Sequence, residues 1–254
     1  MAYLNSKDVF LEAVRTGTYL GKTCIDYSIY GINLDIDTGG AEDVWLQGGV
    51  FVPPTTARVH NIVSTDTNDD GSPADTGARS VKIYGYTASG LETETIVMNG
   101  TTNVATTKSY YDIYKMEVVT AGSSSANEGT ITATAQTDAT VTNSILTTSY
   151  NASARCAVLI PSGYTGYLFS IEGSMQQSTS TSFADMWLLQ KYSGGVWTGR
   201  QVMTLNNLGN SLESHVFKLP YVLSADNWYK IQVASVTNNN TVIQASMQIL
   251  LVQD

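Results

Sequence analysis

Residues 65–102 read TDTNDDGSPADTGARSVKIYGYTASGLETETIVMNGTT, and the pattern of these residues predicts the fold class. A loop rich in Asp, Gly and Pro leads into the run 79–87, which turns at residues 88–90 and continues as 92–98. Successive side chains of a β-strand point to opposite faces, so these alternating runs predict a β-hairpin with one buried face. The apolar residues available for that face are Val81, Ile83, Ile96 and Met98.

Short strand-like runs of the same kind recur along the chain as far as residue 252, separated by Gly, Ser and Asn turns. Nothing between them reads as a helix-length amphipathic segment, which disfavours alternating β and α elements. The sequence therefore predicts an all-β protein of the β-sandwich or jelly-roll type.

The two halves of this β-rich region share the order of their patterns. SVKIYGYTASGLETETIVM resembles MWLLQKYSGGVWTGRQVM, and YDIYKMEVVTAG resembles NWYKIQVASVTN about 110 residues later in the chain. The repeat predicts two similar modules, residues 42–140 and 141–254. A single sandwich to which each half contributes strands is the alternative.

The first forty residues have a different character. Asn5 or Ser6 can cap a short helix that extends to about Arg15. An alternating segment, CIDYSIYGINLDIDTGG, follows and ends at a glycine pair. We expect residues 1–41 to form a short N-terminal helix and an extended arm.

Composition limits the classes of partner. The 254 residues carry a formal net charge of −9, and an acidic chain binds phosphate backbones poorly, so nucleic acid is not expected as a partner. No segment is long and apolar enough to predict a membrane span. The N-terminus lacks the pattern of a signal peptide.

Catalytic patterns are absent from the sequence. Cys24 and Cys156 form no metal or redox motif and are expected to be buried free thiols. The two histidines, His60 and His215, have no recognisable nucleophile beside them, and no G-x-S-x-G elbow occurs. We therefore expect no enzymatic activity.

One candidate metal site lies in the opening loop. Asp66, Asn68, Asp70 and Gly71 match the start of a calcium loop, in which alternate oxygens surround a hard cation. The acidic ligand expected at the twelfth position is replaced by Gly77. Calcium is thus the one cofactor that the sequence suggests, and a solvated acidic loop built for turn chemistry is the favoured alternative.

Exposed aromatic residues would indicate a carbohydrate-binding face. Alternation places Trp187 and Trp228 inside strands, where a core role is expected. Trp197 follows a Gly-Gly turn and is the best candidate for an exposed aromatic side chain.

Several segments resemble a recurrent pattern in structural proteins of tailed bacteriophages, many of them marine or cyanobacterial. The matching segments are TGARS (76–80), ETETIVMNGTT (92–102), MEVVTAG (116–122), GTITAT (129–134) and IPSGYTGYL (160–168). The resemblance covers residues 76–170, and it implies a virion structural protein.

The expected function is a non-enzymatic head decoration, or cement, protein that stabilises the capsid by binding the major capsid protein. A polar β protein gains stability by oligomerising, so a homotrimer is expected. The arm would contact the capsid partner through Val9, Phe10, Ile25, Tyr27, Ile29 and Tyr30. The chain would be located in the virion, after assembly in the host cytoplasm. The alternative is a knob, fibre or tail-tip protein that binds a host-surface glycan.

Overall fold

A computed structural model describes residues 8, 12, 13, 16–19, 21–137, 141–176, 182–206 and 212–254. These residues form small antiparallel sheets, so the all-β prediction is confirmed. The predicted N-terminal helix falls mainly outside the described residues, although Asp8, Glu12, Ala13 and Thr16 have helical backbone. Within the described part of the chain, no helix is both long and apolar enough to cross a bilayer.

The strands are β1 (Thr18–Tyr19), β2 (Lys22–Asp26), β3 (Ile29–Ile36), β4 (Glu42–Asp43), β5 (His60–Ser64), β6 (Ala78–Thr87), β7 (Gly90–Val97), β8 (Val104–Ala105), β9 (Tyr110–Ala121), β10 (Ile131–Ala135), β11 (Thr142–Leu146), β12 (Ala157–Leu159), β13 (Tyr164–Gln176), β14 (Phe183–Lys191), β15 (Trp197–Asn206), β16 (Leu212–Leu223), β17 (Trp228–Val236) and β18 (Thr241–Gln253). They belong to two compact units. Unit 1 comprises Met1–Val50 and Cys156–Asp254, and unit 2 comprises Phe51–Arg155.

Unit 2 contains the hairpin predicted from residues 65–102. Strands β6 and β7 pair antiparallel from Ser80 opposite Val97 to Thr87 opposite Gly90, which leaves a two-residue turn. Gly90 has a φ of 113°, a backbone conformation that L side chains rarely adopt, so glycine suits this end of the turn. The predicted pairing is confirmed.

The two sheets of unit 2 share one hydrophobic core. The order β7-β6-β9 makes one sheet and β11-β10-β5-β8 makes the other. The core residues come from both sheets and include Ile62, Val81, Ile83, Ile96, Met98, Tyr110, Ile113, Met116, Ile131 and Leu146. Because a one-residue slip of β6 would turn Val81 and Ile83 outward, this core determines the register of the hairpin.

Unit 1 consists of a six-stranded and a five-stranded sheet. The first has the order β1-β2-β18-β13-β16, with β3 also paired to β18, and the second has the order β12-β17-β14-β15, with β4 paired to β17. A Cβ at Gly173 of β13 would lie 2.6 Å from the Met186 side chain of β14. The inward faces of the two sheets therefore pack closely at this glycine.

The segment predicted as a docking arm is an integral part of unit 1, which corrects that expectation. Strands β2 and β3 both pair with β18. Tyr27 and Ile29 are buried, Ile25 is half-buried, and the Tyr27 hydroxyl donates a hydrogen bond to the Leu159 carbonyl at 3.4 Å. The alternation of this segment reflects a strand with one buried face, and these three side chains are used within their own unit. Val9 and Phe10 lie outside the described residues.

The unit boundaries also differ from the predicted ranges 1–41, 42–140 and 141–254. Residues 22–50 belong with the C-terminal strands, and residues up to Arg155 belong with unit 2. A Cβ at Gly31 would lie 2.2 Å from the Val44 carbonyl oxygen and 2.4 Å from the Cys156 amide nitrogen. This close backbone approach within unit 1 requires glycine, and no local pattern in the sequence indicates it.

Candidate functional site

The opening loop is organised by a carboxylate that the calcium pattern does not single out. Asp69 is fully buried. The Ser64 hydroxyl and the Gly129 amide donate to its Oδ2 at 2.5 and 2.9 Å. The amides of Ala78 and Glu128 donate to its Oδ1 at 2.7 and 2.9 Å. Four donors converge on this side chain, so its charge is compensated by hydrogen bonds without a cation.

The residues of the predicted calcium loop engage their own backbone. Asp66 Oδ1 accepts a hydrogen bond from the Asn68 amide at 2.9 Å, and Asp70 Oδ1 accepts one from the Ser72 amide at 2.8 Å. Asn68 Nδ2 donates to Glu128 at 2.7 Å. Hydrogen bonds from Thr76 and Asn68 lower the pKa of the Glu128 carboxyl. Among the described residues, no three His, Cys, Asp or Glu side chains are grouped so that they could hold a metal ion.

Four glycines, one each from the segments 76–80, 92–102, 116–122 and 129–134, lie around this loop. A Cβ at Gly77 would lie 2.3 Å from the Asp69 carboxylate, and one at Gly122 would lie 2.1 Å from the Asp75 carbonyl oxygen. A Cβ at Gly129 would lie 2.4 Å from the Ser64 hydroxyl. Gly100, at a φ of 53°, accepts a hydrogen bond from the Ser64 amide and donates one to the Asp69 carbonyl oxygen. We call residues 64–78 with Gly100, Gly122, Glu128 and Gly129 the Asp69 cluster.

A second buried polar group of unit 2 surrounds His60. Its Nδ1 lies 3.0 Å from the Arg58 carbonyl oxygen, so Nδ1 carries the proton and Nε2 accepts from Asn143 Nδ2 at 3.3 Å. Asn143 Oδ1 accepts from Arg155 Nη1 at 2.8 Å and from the Ile113 amide at 3.2 Å, which determines the orientation of the amide. Desolvation by burial lowers the pKa of His60 to about 4, so the ring is neutral at pH 7.

In each unit, a fully buried ion pair of described residues lies beside an aromatic ring. In unit 2, Arg155 Nη2 lies 2.5 Å from Asp112, and the guanidinium lies 4.5 Å from the ring centroid of Phe51. In unit 1, Lys230 Nζ lies 2.7 Å from Asp43 and 4.3 Å from the ring centroid of Trp197. Burial lowers the pKa of Lys230, and the neighbouring Asp43 opposes that shift. Both pairs are enclosed and satisfied, which indicates structural roles.

The tryptophans are distributed differently from the prediction. Trp228 is buried, as expected, whereas Trp187 is 36% exposed and is not a core residue. Met186 and Leu188 occupy the inward positions of β14, so alternation directs Trp187 outward. A Cβ at Gly199 would lie 2.9 Å from the Trp187 ring, so the indole packs over the backbone of β15. Trp197 is half-buried.

An open groove on the outer face of the six-stranded sheet is the candidate binding site. It has a volume of about 150 Å³ and is lined by Tyr30, Glu172, Gly173, Ser174, Leu212, Gln244, Ala245 and Ser246. We call it the polar groove. Glu172 is opposite Ser246 in the register of β13 and β18, and Ser174 is opposite Gln244. These four side chains form its floor.

The walls and floor follow from the strand register. Tyr30 of β3 is opposite Ser246, and Leu212 of β16 is opposite Ser174, so the two wall residues lie on either side of the floor strands. Two serines on one diagonal of the floor are short, and long side chains surround them, which creates the depression. Tyr30 is 47% exposed. The floor side chains have no hydrogen-bond partner within the described part of the protein.

The sequence predicts Tyr30 as a contact residue but does not indicate the floor of the groove. The signal was present in part, because SIEGS of β13 and QASMQ of β18 alternate polar with small or apolar residues. Alternation identifies an outward face, but it does not indicate that these two strands are neighbours. Cys24 and Cys156 are buried free thiols, as predicted. His60 lies in unit 2 and His215 lies in unit 1.

Comparisons with protein-family models, with curated proteins and with solved structures find no match to this chain.

Proposed function

We propose that this chain is a non-enzymatic virion structural protein, and specifically a head decoration protein that stabilises the capsid by binding the major capsid protein. The observation that carries the proposal is the Asp69 cluster. The segments that resemble phage structural proteins supply four of its five glycines and two of the amides that bind Asp69, at positions where close backbone packing is required. The residues that carry the resemblance are therefore ones that the fold needs for close packing. Residues with this role favour an architectural function over a catalytic one.

Self-association is the second part of the proposal. β16 is an edge strand of the six-stranded sheet, and Val216 and Leu219 on it are 60% and 83% exposed. Val222 of the same strand is also exposed. An edge strand that presents several apolar side chains to water is stabilised when another copy covers it. A homotrimer formed through Val216, Leu219 and Val222 of β16 satisfies this requirement and gives the multiple contacts that a decoration protein needs.

The proposal includes the architecture of each unit as a two-sheet β-sandwich module. The shared core of unit 2 and the close packing of Gly173 on Met186 in unit 1 support it. Because Tyr27 and Ile29 are buried inside unit 1 and Tyr30 lines the polar groove, the proposed contact with the capsid falls on Val9 and Phe10.

Sedimentation of the purified chain tests self-association. We expect an oligomer at micromolar concentration, and we expect the double variant Val216→Lys/Leu219→Lys to sediment as a folded monomer. Val97→Lys is the matched control, because Val97 is 55% exposed on an edge strand of unit 2. A monomeric wild-type chain with a cooperative thermal transition contradicts the homotrimer.

Electron cryomicroscopy of the particles that carry the chain tests the decoration role. We expect density for the protein repeated over the capsomers of the head. Density confined to a vertex or to the tail contradicts decoration and favours a knob or tail-tip protein.

A further inference from the structure

We infer that the polar groove binds a neutral saccharide, a site that does not depend on the decoration role. The first reason is the hydrogen-bonding capacity of its floor. Glu172 supplies acceptors only, Gln244 supplies both donors and acceptors, and the two serine hydroxyls do the same. These groups are unpaired within the described part of the protein. Adjacent sugar hydroxyls, which also donate and accept, match such a surface.

The charge of the groove selects a neutral ligand. Glu172 is the one charged side chain among the described residues that line it. A negatively charged floor repels phosphate, sulfate and acidic sugars, because none of the described lining residues carries a positive charge that would offset the charge of Glu172. An uncharged ligand avoids this repulsion, and its hydroxyl groups can donate two hydrogen bonds to the carboxylate. Hydrogen bonds to a charged acceptor are stronger than those between neutral groups.

The walls suit the carbon face of a sugar ring. Tyr30 and Leu212 stand on the strands that flank the floor, and their backbones are three strand spacings apart, about 14 Å. An aromatic ring and a leucine side chain cover C–H groups while the floor binds the hydroxyls. A polar floor with apolar walls matches a ring that has both hydroxyl and C–H faces. A simple ion would find no polar partner on the walls.

Size determines how much of a glycan the groove takes. Its volume of about 150 Å³ is well below the roughly 300–1,000 Å³ of pockets that enclose drug-sized ligands. One sugar residue therefore fills it, and the open sides let a longer chain continue over the sheet. Such a small contact gives a dissociation constant on the order of 1 mM. Several copies in an oligomer would raise the apparent affinity for a longer glycan by multivalency.

Ligand-observed saturation-transfer NMR on the full chain tests the inference. The neutral probes are glucose, galactose, mannose and N-acetylglucosamine, and the anionic probes are N-acetylneuraminic acid and inorganic phosphate. The variants are Glu172→Gln, which removes the charge, and Ser246→Leu, which fills the floor. Thr198→Leu is the matched control, because Thr198 is an exposed strand residue of the five-stranded sheet in the same unit. Far-UV circular dichroism confirms that each variant is folded.

We expect at least one neutral sugar to bind, Glu172→Gln to weaken its binding about 10-fold, and Ser246→Leu to abolish it, while Thr198→Leu leaves it unchanged. Failure of every neutral sugar to bind overturns the inference. Binding of N-acetylneuraminic acid or phosphate as strong as that of the neutral sugars also overturns it, as does unchanged binding by folded Ser246→Leu. Because the readout is binding to the isolated chain, it is independent of where the protein lies in a particle.

Discussion

Substitution of Asp69 by alanine provides a direct test of the Asp69 cluster. The change removes the acceptor of three backbone amides and one hydroxyl in a fully buried position. Each buried donor left unpaired costs about 1–3 kcal/mol. The Ser64 hydroxyl can rotate to another acceptor, and water can enter the space left by the carboxylate. We therefore expect Asp69→Ala to lower the free energy of unfolding of unit 2 by about 3–5 kcal/mol.

Asp70→Ala is the matched control, because it removes a carboxylate of the same charge from the next position. Asp70 is half-buried and its side chain accepts one hydrogen bond, from the Ser72 amide at 2.8 Å, so the expected loss is below about 1 kcal/mol. Urea denaturation should be followed by hydrogen exchange in β6, β7 and β9, which report on unit 2. All four tryptophans lie in unit 1, so their fluorescence reports that unit separately. If the two variants lose equal stability, the reasoning is refuted.

Two buried charged or titratable groups and the acidic loop can be tested in the same way. The pKa of His60 is about 4 in the folded protein and 6.5 ordinarily, so the unfolded state binds more protons between these two pH values. The free energy of unfolding, measured by urea denaturation, should therefore fall by about 3 kcal/mol as the pH drops from 7 to 4. In His60→Gln this part of the pH dependence should vanish. Asp43→Asn leaves Lys230 buried without its counter-charge, so the free energy of unfolding followed by tryptophan fluorescence should fall by about 3–5 kcal/mol. The double variant Asp43→Leu/Lys230→Met buries no charge and should recover most of that loss. Equal losses in the single and the double variant would contradict this account. Calcium or a chelator should shift the melting temperature little, and a rise of several degrees that Asp70→Ala abolishes would establish a calcium site.

The hairpin and the acidic loop differ in how far local pattern could predict them. Val81 and Ile83 alternate with polar residues, and Ile96 repeats the pattern after a turn, so strand, turn and register could be predicted together. The loop TDTNDDG contains three acids that look alike in sequence. Asp69 is the buried one because segments some 60 residues away, at Glu128 and Gly129, bring their amides to it.

The candidate site likewise combines features that local pattern could predict with features that depend on distant segments. An outward polar face could be predicted for β13 and for β18 taken singly, since polar residues alternate with small or apolar ones in SIEGS and in QASMQ. The polar groove requires β3, β13, β16 and β18 to be neighbours in one sheet. One of these pairings joins Tyr30 to Ser246, more than two hundred positions apart, and no periodicity within a strand encodes any of them.

Local sequence pattern predicts the all-β class, the β6–β7 hairpin and the burial of both thiols, because alternation and turn chemistry act over a few neighbouring residues. Contacts between distant segments make residues 22–36 a pair of sheet strands, direct Trp187 outward and place Asp69 at the centre of the loop. Strand pairing depends on backbone hydrogen bonds and side-chain packing between distant segments, and those partners are selected when the sheets assemble.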